Sequence, residues 1–138
     1  MSADVVADVM QIIEDLGFGK VPYDIYSPQI RDVRSNPFGI LVEQRNTAPV
    51  PDVSVGCDTL YLNVQVRGGS GGEKGRAEAA EKALDLYRAL RLIMDEVVRN
   101  THYIRITPDS APYEVQDGTH YDFLFGLEVV RYFQEDVE

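Results

Sequence analysis

The chain has little cysteine, lysine or histidine: one, three and two residues in 138. With Cys57 alone, no intrachain disulfide can form and no cysteine-rich zinc site can be built, which suits a reducing compartment. Nowhere do about 18 apolar residues run together, so no membrane-spanning helix is expected. The segment Met1 to Leu16 interleaves acidic with apolar residues and has no basic stretch, so no secretory signal is expected either. Positive charge is also scarce. Thirteen Lys and Arg stand against 23 Asp and Glu, a formal charge of −10, and such a field repels phosphate backbones and anionic lipid headgroups at long range. Duplex binding and membrane-surface roles are therefore disfavoured.

What remains is ordinary for a folded chain. Apolar residues make up 44% and charged residues 26%, the balance of one globular domain spanning residues 1–138 rather than a disordered segment. Val5, Val6, Val9, Ile12, Ile13 and Leu16 recur at helical spacing and predict an N-terminal helix, with Ser2 as N-cap, Gly17 as stop, and Asp4, Asp8, Gln11 and Glu14 toward water. Residues 18–37, with Pro22, Pro28 and Pro37, read as an extended arm. Phe38 to Gln44 has the length of a strand. Leu60, Leu62, Val64 and Val66 alternate with Tyr61, Asn63, Gln65 and Arg67, the period of a strand with one buried face. After the glycine tract Gly68 to Gly75, helical spacing from Arg76 to about Arg99 predicts a long helix whose stripe of Leu84, Leu90, Ile93 and Val97 packs on that strand. His102 to Thr107 and Tyr121 to Phe133 supply two more strands, and Gly126 marks a bulge or a close backbone approach. The order α-β-β-α-β-β predicts an α+β fold: a small, largely antiparallel or mixed sheet with two helices on one face. The segments Arg45 to Gly56 and Gly68 to Arg76 are expected to be mobile in an isolated subunit and to order against neighbours.

No catalytic constellation emerges from the chemistry-bearing residues. The tract GGSGGEKGR offers glycine amides before a helix, but the phosphate-loop spacing requires Ser or Thr after the lysine, and Lys74 is followed by Gly75. Glu73 would also repel a phosphate. His102, His120, Asp122 and Cys57 have metal-ligand chemistry without a tight ligand spacing, and the pair His120 and Asp122 reads better as two polar residues at a strand end. Ser110 lies in a proline-flanked loop with nothing like a nucleophile elbow around it. No enzymatic activity, metal or cofactor is expected. Ten of the 13 basic residues are arginine, the cation favoured at protein interfaces because its planar fork pairs with carboxylates and stacks on rings.

The layout resembles that of the tail terminator proteins of long-tailed bacteriophages, also called minor tail or minor capsid proteins. The likeness runs through the N-terminal amphipathic helix, the proline-rich arm, the strand LYLNVQVRG and the glycine-rich break. It continues through the helix AEAAEKALDLYRALRLIMDEV, the strand HYIRI and the final aromatic strand DFLFGLEVVRYF, preceded by the turn VQDGTHYDF. The resemblance implies a homohexameric ring at the head-proximal end of the tail tube, which stops tube polymerisation and offers the head its docking surface. Implied partners are other copies of the chain, the tail tube protein and the head-tail connector proteins, with DNA passing through an acidic lumen without specific binding. The implied location is the virion tail, and the host cytoplasm during assembly. Arg45, Val50, Val53, Val55, Arg67 and Arg76 are the candidate residues for a subunit or tube interface. A head-completion or neck protein shares the ring habit, and a cytoplasmic ligand-binding α+β module with the arm over a pocket is the alternative of a different class.

Overall fold

The computed structural model describes residues 4–27, 39–45, 49–68, 72–117 and 120–132, without the side chains of residues 116, 117 and 120. It is an α+β fold in which two helices pack on a single mixed sheet. The first helix, α1, spans Val5–Asp15; its cap is Asp4, whose carboxylate accepts from the amides of Val6 at 3.0 Å and Ala7 at 3.2 Å. The expected cap, Ser2, lies outside the described residues. Gly17 takes φ 91° and donates to Glu14 while Phe18 donates to Ile13, which turns the chain out of the helix as a left-handed residue after the last turn does.

The four strands expected from the sequence form the body of the sheet: β2 (Gly39–Gln44), β4 (Cys57–Arg67), β6 (Thr101–Pro108) and β8 (His120–Tyr132). Four shorter ones complete it: β1 (Ile25–Tyr26), β3 (Val50–Asp52), β5 (Met94–Val98) and β7 (Tyr113–Asp117). The main path is β1-β2-β4-β8-β6-β5, antiparallel throughout except for the parallel pair β1 and β2. The two central strands, β4 and β8, pair without a break from Cys57 with Tyr132 to Arg67 with Asp122. Each is flanked by an interrupted strand. Along β4, β2 covers Leu62 to Arg67 and β3 covers Cys57 to Thr59. Along β8, β7 covers His120 to Leu124 and β6 covers Leu127 to Arg131. The breaks fall just after Gln44 and just after Pro108.

The sheet alternation places Leu60, Leu62, Val64, Val66, Phe125, Leu127 and Val129 in one core cluster with Val9 and Ile13 of α1 and Leu86 and Leu90 of the second helix. That helix, α2, runs Gly72–Leu90 and not to Arg99. Beyond Leu90 the chain forms the hairpin of β5 and β6, whose two-residue turn holds Arg99 at φ 48° and Asn100 at φ 67°, the positive angles of a type I′ turn. The expected stripe is corrected accordingly. Leu90 is fully buried and Ile93 nearly so, whereas Leu84 is partly exposed on α2 and Val97 is 64% exposed on β5. The helix instead faces the sheet through Ala79, Ala83, Leu86 and Leu90, small residues early and large ones late, so that its N-terminal turns come closest to the strands. The closeness is visible at Gly68, where a Cβ would run into the carbonyl of Gly75.

Of the segments expected to be mobile, Val50–Asp52 are β3 and Gly72 to Arg76 are the first turn of α2. Residues 46–48 and 69–71 lie outside the described residues, as do 28–37 of the arm. The described part of the arm adds β1 to the sheet edge, with Ile25 and Tyr26 buried there.

Candidate functional site

The residues with catalytic or ligating chemistry are dispersed and engaged in structural contacts. Cys57 is buried at the start of β4, with its thiol 3.4 Å from the Val55 carbonyl. His102 lies on β6, 3.2 Å from Asp95 and edge-on to the Tyr132 ring. Asp122 is fully buried and its carboxylate is taken by Arg67 Nε at 2.7 Å, Arg67 Nη2 at 2.9 Å and Gln65 Nε2 at 2.5 Å. The side chain of His120 lies outside the described set. Among the described residues, no three His, Cys, Asp or Glu side chains are grouped as they would be around a metal ion. The Ser110 hydroxyl accepts from the amide of Gly126 at 3.3 Å, a loop-anchoring contact.

The three arginines proposed for an interface are all held within the chain. Arg67 is 8% exposed and forked onto Asp122, so it is corrected from a surface residue to a buried ion pair. Its strand position explains this: Arg67 stands directly opposite Asp122 on the face of the sheet away from the helices. Arg45 follows the break in one interrupted strand and Asp109 the break in the other, and they meet at 2.6 Å above β8. Glycine leaves room beneath them; a Cβ at Gly126 would displace the Asp109 carboxylate and crowd the Arg45 guanidinium at 2.9 Å. Gly126 is thus a close approach and not a bulge, its register with Asn63 being unbroken. Arg76 pairs with Glu114 of β7 at 2.6 Å and lies 5.6 Å from the Tyr121 ring centre; the nearby carboxylate of Glu114 raises its pKa.

A second buried polar group joins α1 to the sheet. Asp8 is 1% exposed, accepts from the Tyr103 hydroxyl, and receives Arg99 Nη1 at 2.6 Å. Burial, then the hydrogen bond to Asp8, raises the Tyr103 pKa above its ordinary value. Asp8 is therefore buried and not, as expected, toward water. Its spacing held the contrary signal, since position 8 lies three residues after Val5 and four before Ile12, on the apolar stripe itself.

The three candidate valines are exposed. Val50, Val53 and Val55 are 54%, 80% and 60% exposed on the hairpin of β3 and β4. A second exposed apolar group was not anticipated. Leu92, in the turn before β5, and Met94 and Val97 on it are 79%, 69% and 64% exposed, at the opposite side of the sheet. Beside β5 lies a cavity of about 460 Å³ between that strand and α1, lined among others by Ile12, Leu16, Val97 and Glu96. No helix among the described residues is long and apolar enough to cross a membrane. Comparison with protein-family models finds no match. Comparison with curated proteins finds none either.

Proposed function

We propose that the chain is a structural ring subunit, a tail terminator of a long-tailed bacteriophage that caps the head-proximal end of the tail tube. The observation that carries this reading is the pair of unlike apolar surfaces on a chain of charge −10, the β3–β4 hairpin on one side of the sheet and β5 on the other. A closed cyclic assembly requires two different surfaces per subunit, each meeting the other kind on the next copy. The layout likeness to the tail terminators supplies the rest: six copies, a tube partner below, connector proteins above, and an acidic lumen through which the DNA slides without sticking. It also implies the virion tail as the site of action. The engagement of the chemistry-bearing residues in structural contacts supports a non-catalytic role.

Light scattering with electron microscopy tests the reading. A ring of six 15.5 kDa chains has a mass of about 93 kDa and a central hole, and it should bind the end of purified tail tubes. Monomer mass across protein, salt and magnesium series, with no binding to tubes, rejects it. A ring that binds portal or connector assemblies and ignores tubes favours the head-completion alternative.

A further inference from the structure

The groove between α1 and β5 has an apolar floor and acidic walls. Ile12 and Ile93 are buried beneath it, with the partly exposed Leu16 beside them. One wall is Asp15, in the last turn of α1, where Gln11 Nε2 donates to its carboxylate at 2.9 Å. The other is Glu96 of β5. It stands opposite Tyr103, whose hydroxyl bonds Asp8 of α1, so Glu96 lies on the helix side of the sheet. The cation that lines the groove, Arg99, is held by Asp8 at 2.6 Å. An acidic side chain would be repelled here, and a purely apolar one would leave both carboxylates without a partner. The complementary side chain has an aliphatic stem and a cationic head: the stem covers Ile12 and Ile93 while the head stays at the water boundary between Asp15 and Glu96.

Beside the groove runs a strand edge. Among the described residues, no strand pairs with β5 on the side away from β6. Residues 93–98 contain no proline, so every position there keeps its amide. Asp95, at φ 54°, ends the regular stretch and leaves Glu96 to Val98 as the edge. In a two-residue hairpin the closing pair, here Val98 and Thr101, bonds inward, so the backbone of Val97 points outward. A strand laid along this edge sends alternate side chains into the groove and to the opposite face, where Val97 stands opposite His102.

We propose that β5 accepts an extended, basic segment of another protein as an added strand, with a lysine or arginine of that segment in the groove and an apolar neighbour against Val97. Main-chain bonds to the edge hold the segment, and the groove selects its cation. The field of a chain carrying −10 steers such a partner toward it. The inference goes beyond the ring reading and does not rest on it.

Fluorescence anisotropy with the full chain tests the proposal, at physiological ionic strength so that long-range charge is screened. The probe is a short labelled peptide that alternates valine with lysine. Saturable binding is expected, and none for the same peptide with glutamate in place of lysine. Asp15→Asn combined with Glu96→Gln, both exposed positions, is expected to weaken binding at least tenfold with an unchanged circular dichroism spectrum. Asp52→Asn combined with Asp58→Asn removes the same charge at the other side of the sheet and is expected to change binding less than twofold. Of two probes N-methylated on alternate amides, one in each phase, one should bind like the parent and the other should not. No binding of the parent probe overturns the proposal, and equal weakening by the two pairs of substitutions overturns it in favour of unspecific attraction to an acidic chain. Equal binding of both methylated probes overturns the added strand. Self-association without probe that is lost on Asp15→Asn with Glu96→Gln overturns it by placing a second copy in the groove. The ring reading is decided separately, by the mass of the wild-type protein and its binding to tail tubes.

Discussion

Asp8 shows how one side chain can fix an element. Its carboxylate is buried among α1, β6 and the β5–β6 turn, and it is bonded by Tyr103 and Arg99. Arg99 is more than half exposed and regains water when Asp8 is removed. The cost of Asp8→Ala therefore comes from the buried Tyr103 hydroxyl losing its carboxylate acceptor, about 1–3 kcal/mol by urea unfolding. Tyr103→Phe, which keeps the Arg99 contact, should cost a similar amount. The pair also makes an alkaline prediction. The Tyr103 pKa is raised in the folded protein by burial and by Asp8, so the folded state holds its proton where the unfolded chain has begun to lose it. Stability from this group is fully present below the ordinary tyrosine value of about 10 and falls above it, by up to about 1.4 kcal/mol per pH unit. Urea titrations from pH 8 to 11 should show a shallower alkaline decline in Tyr103→Phe than in the wild type; identical slopes would remove Tyr103 as the cause.

At the scale of elements, the sequence was legible where one periodicity ruled a segment. The strict alternation from Leu60 to Arg67 and from Tyr121 to Val130 marked β4 and β8, and Gly17 marked the end of α1. The end of α2 was missed because Leu90, Ile93 and Val97 fall at helical spacing by coincidence: three of the apolar residues belong to a helix end, a turn and an edge strand in succession. The signal against helix was local, two β-branched residues at Val97 and Val98 followed by Arg99-Asn100, an Asn at the second position of a type I′ turn. Short strands escaped for another reason. β1, β3 and β7 are set by pairing with β2, β4 and β8, a long-range effect that alternation within two to five residues cannot display. The candidate valines stand out by their lack of helical or firm strand context, whereas β5 is hidden inside the overlong helical pattern. Two substitutions check the corrected boundary. Leu90→Ala should cost about 2–5 kcal/mol and Leu84→Ala much less, since only Leu90 is fully buried. Asn100→Val should cost about 1–3 kcal/mol, because a β-branched residue at φ 67° is strained. Equal melting temperatures for the two leucine variants would return the helix to its longer form.

At the scale of the whole molecule, assembly sets a short-range attraction against a long-range repulsion. Each chain carries −10, and the proposed ring of six would concentrate that charge around one lumen. In the proposed ring the attraction comes from burial of exposed apolar residues such as Val53 and Leu92, which acts through water and not through charge. Repulsion between whole subunits acts over distances where screening is effective, since the Debye length falls from about 30 Å at 0.01 M to about 8 Å at 0.15 M salt. Any attraction between arginines and carboxylates across such a contact is screened as well. It involves few charges, several of them already paired within the subunit, as Arg99 is with Asp8 and Arg105 with Glu128. Repulsion therefore loses more than attraction does as salt rises, and magnesium, which screens more strongly per ion, should act in the same direction. The expected outcome is that the protein concentration at half-assembly falls as salt increases from 20 to 300 mM, by sedimentation velocity. A rise over the same range would mean that Arg–carboxylate pairs dominate the contact between copies.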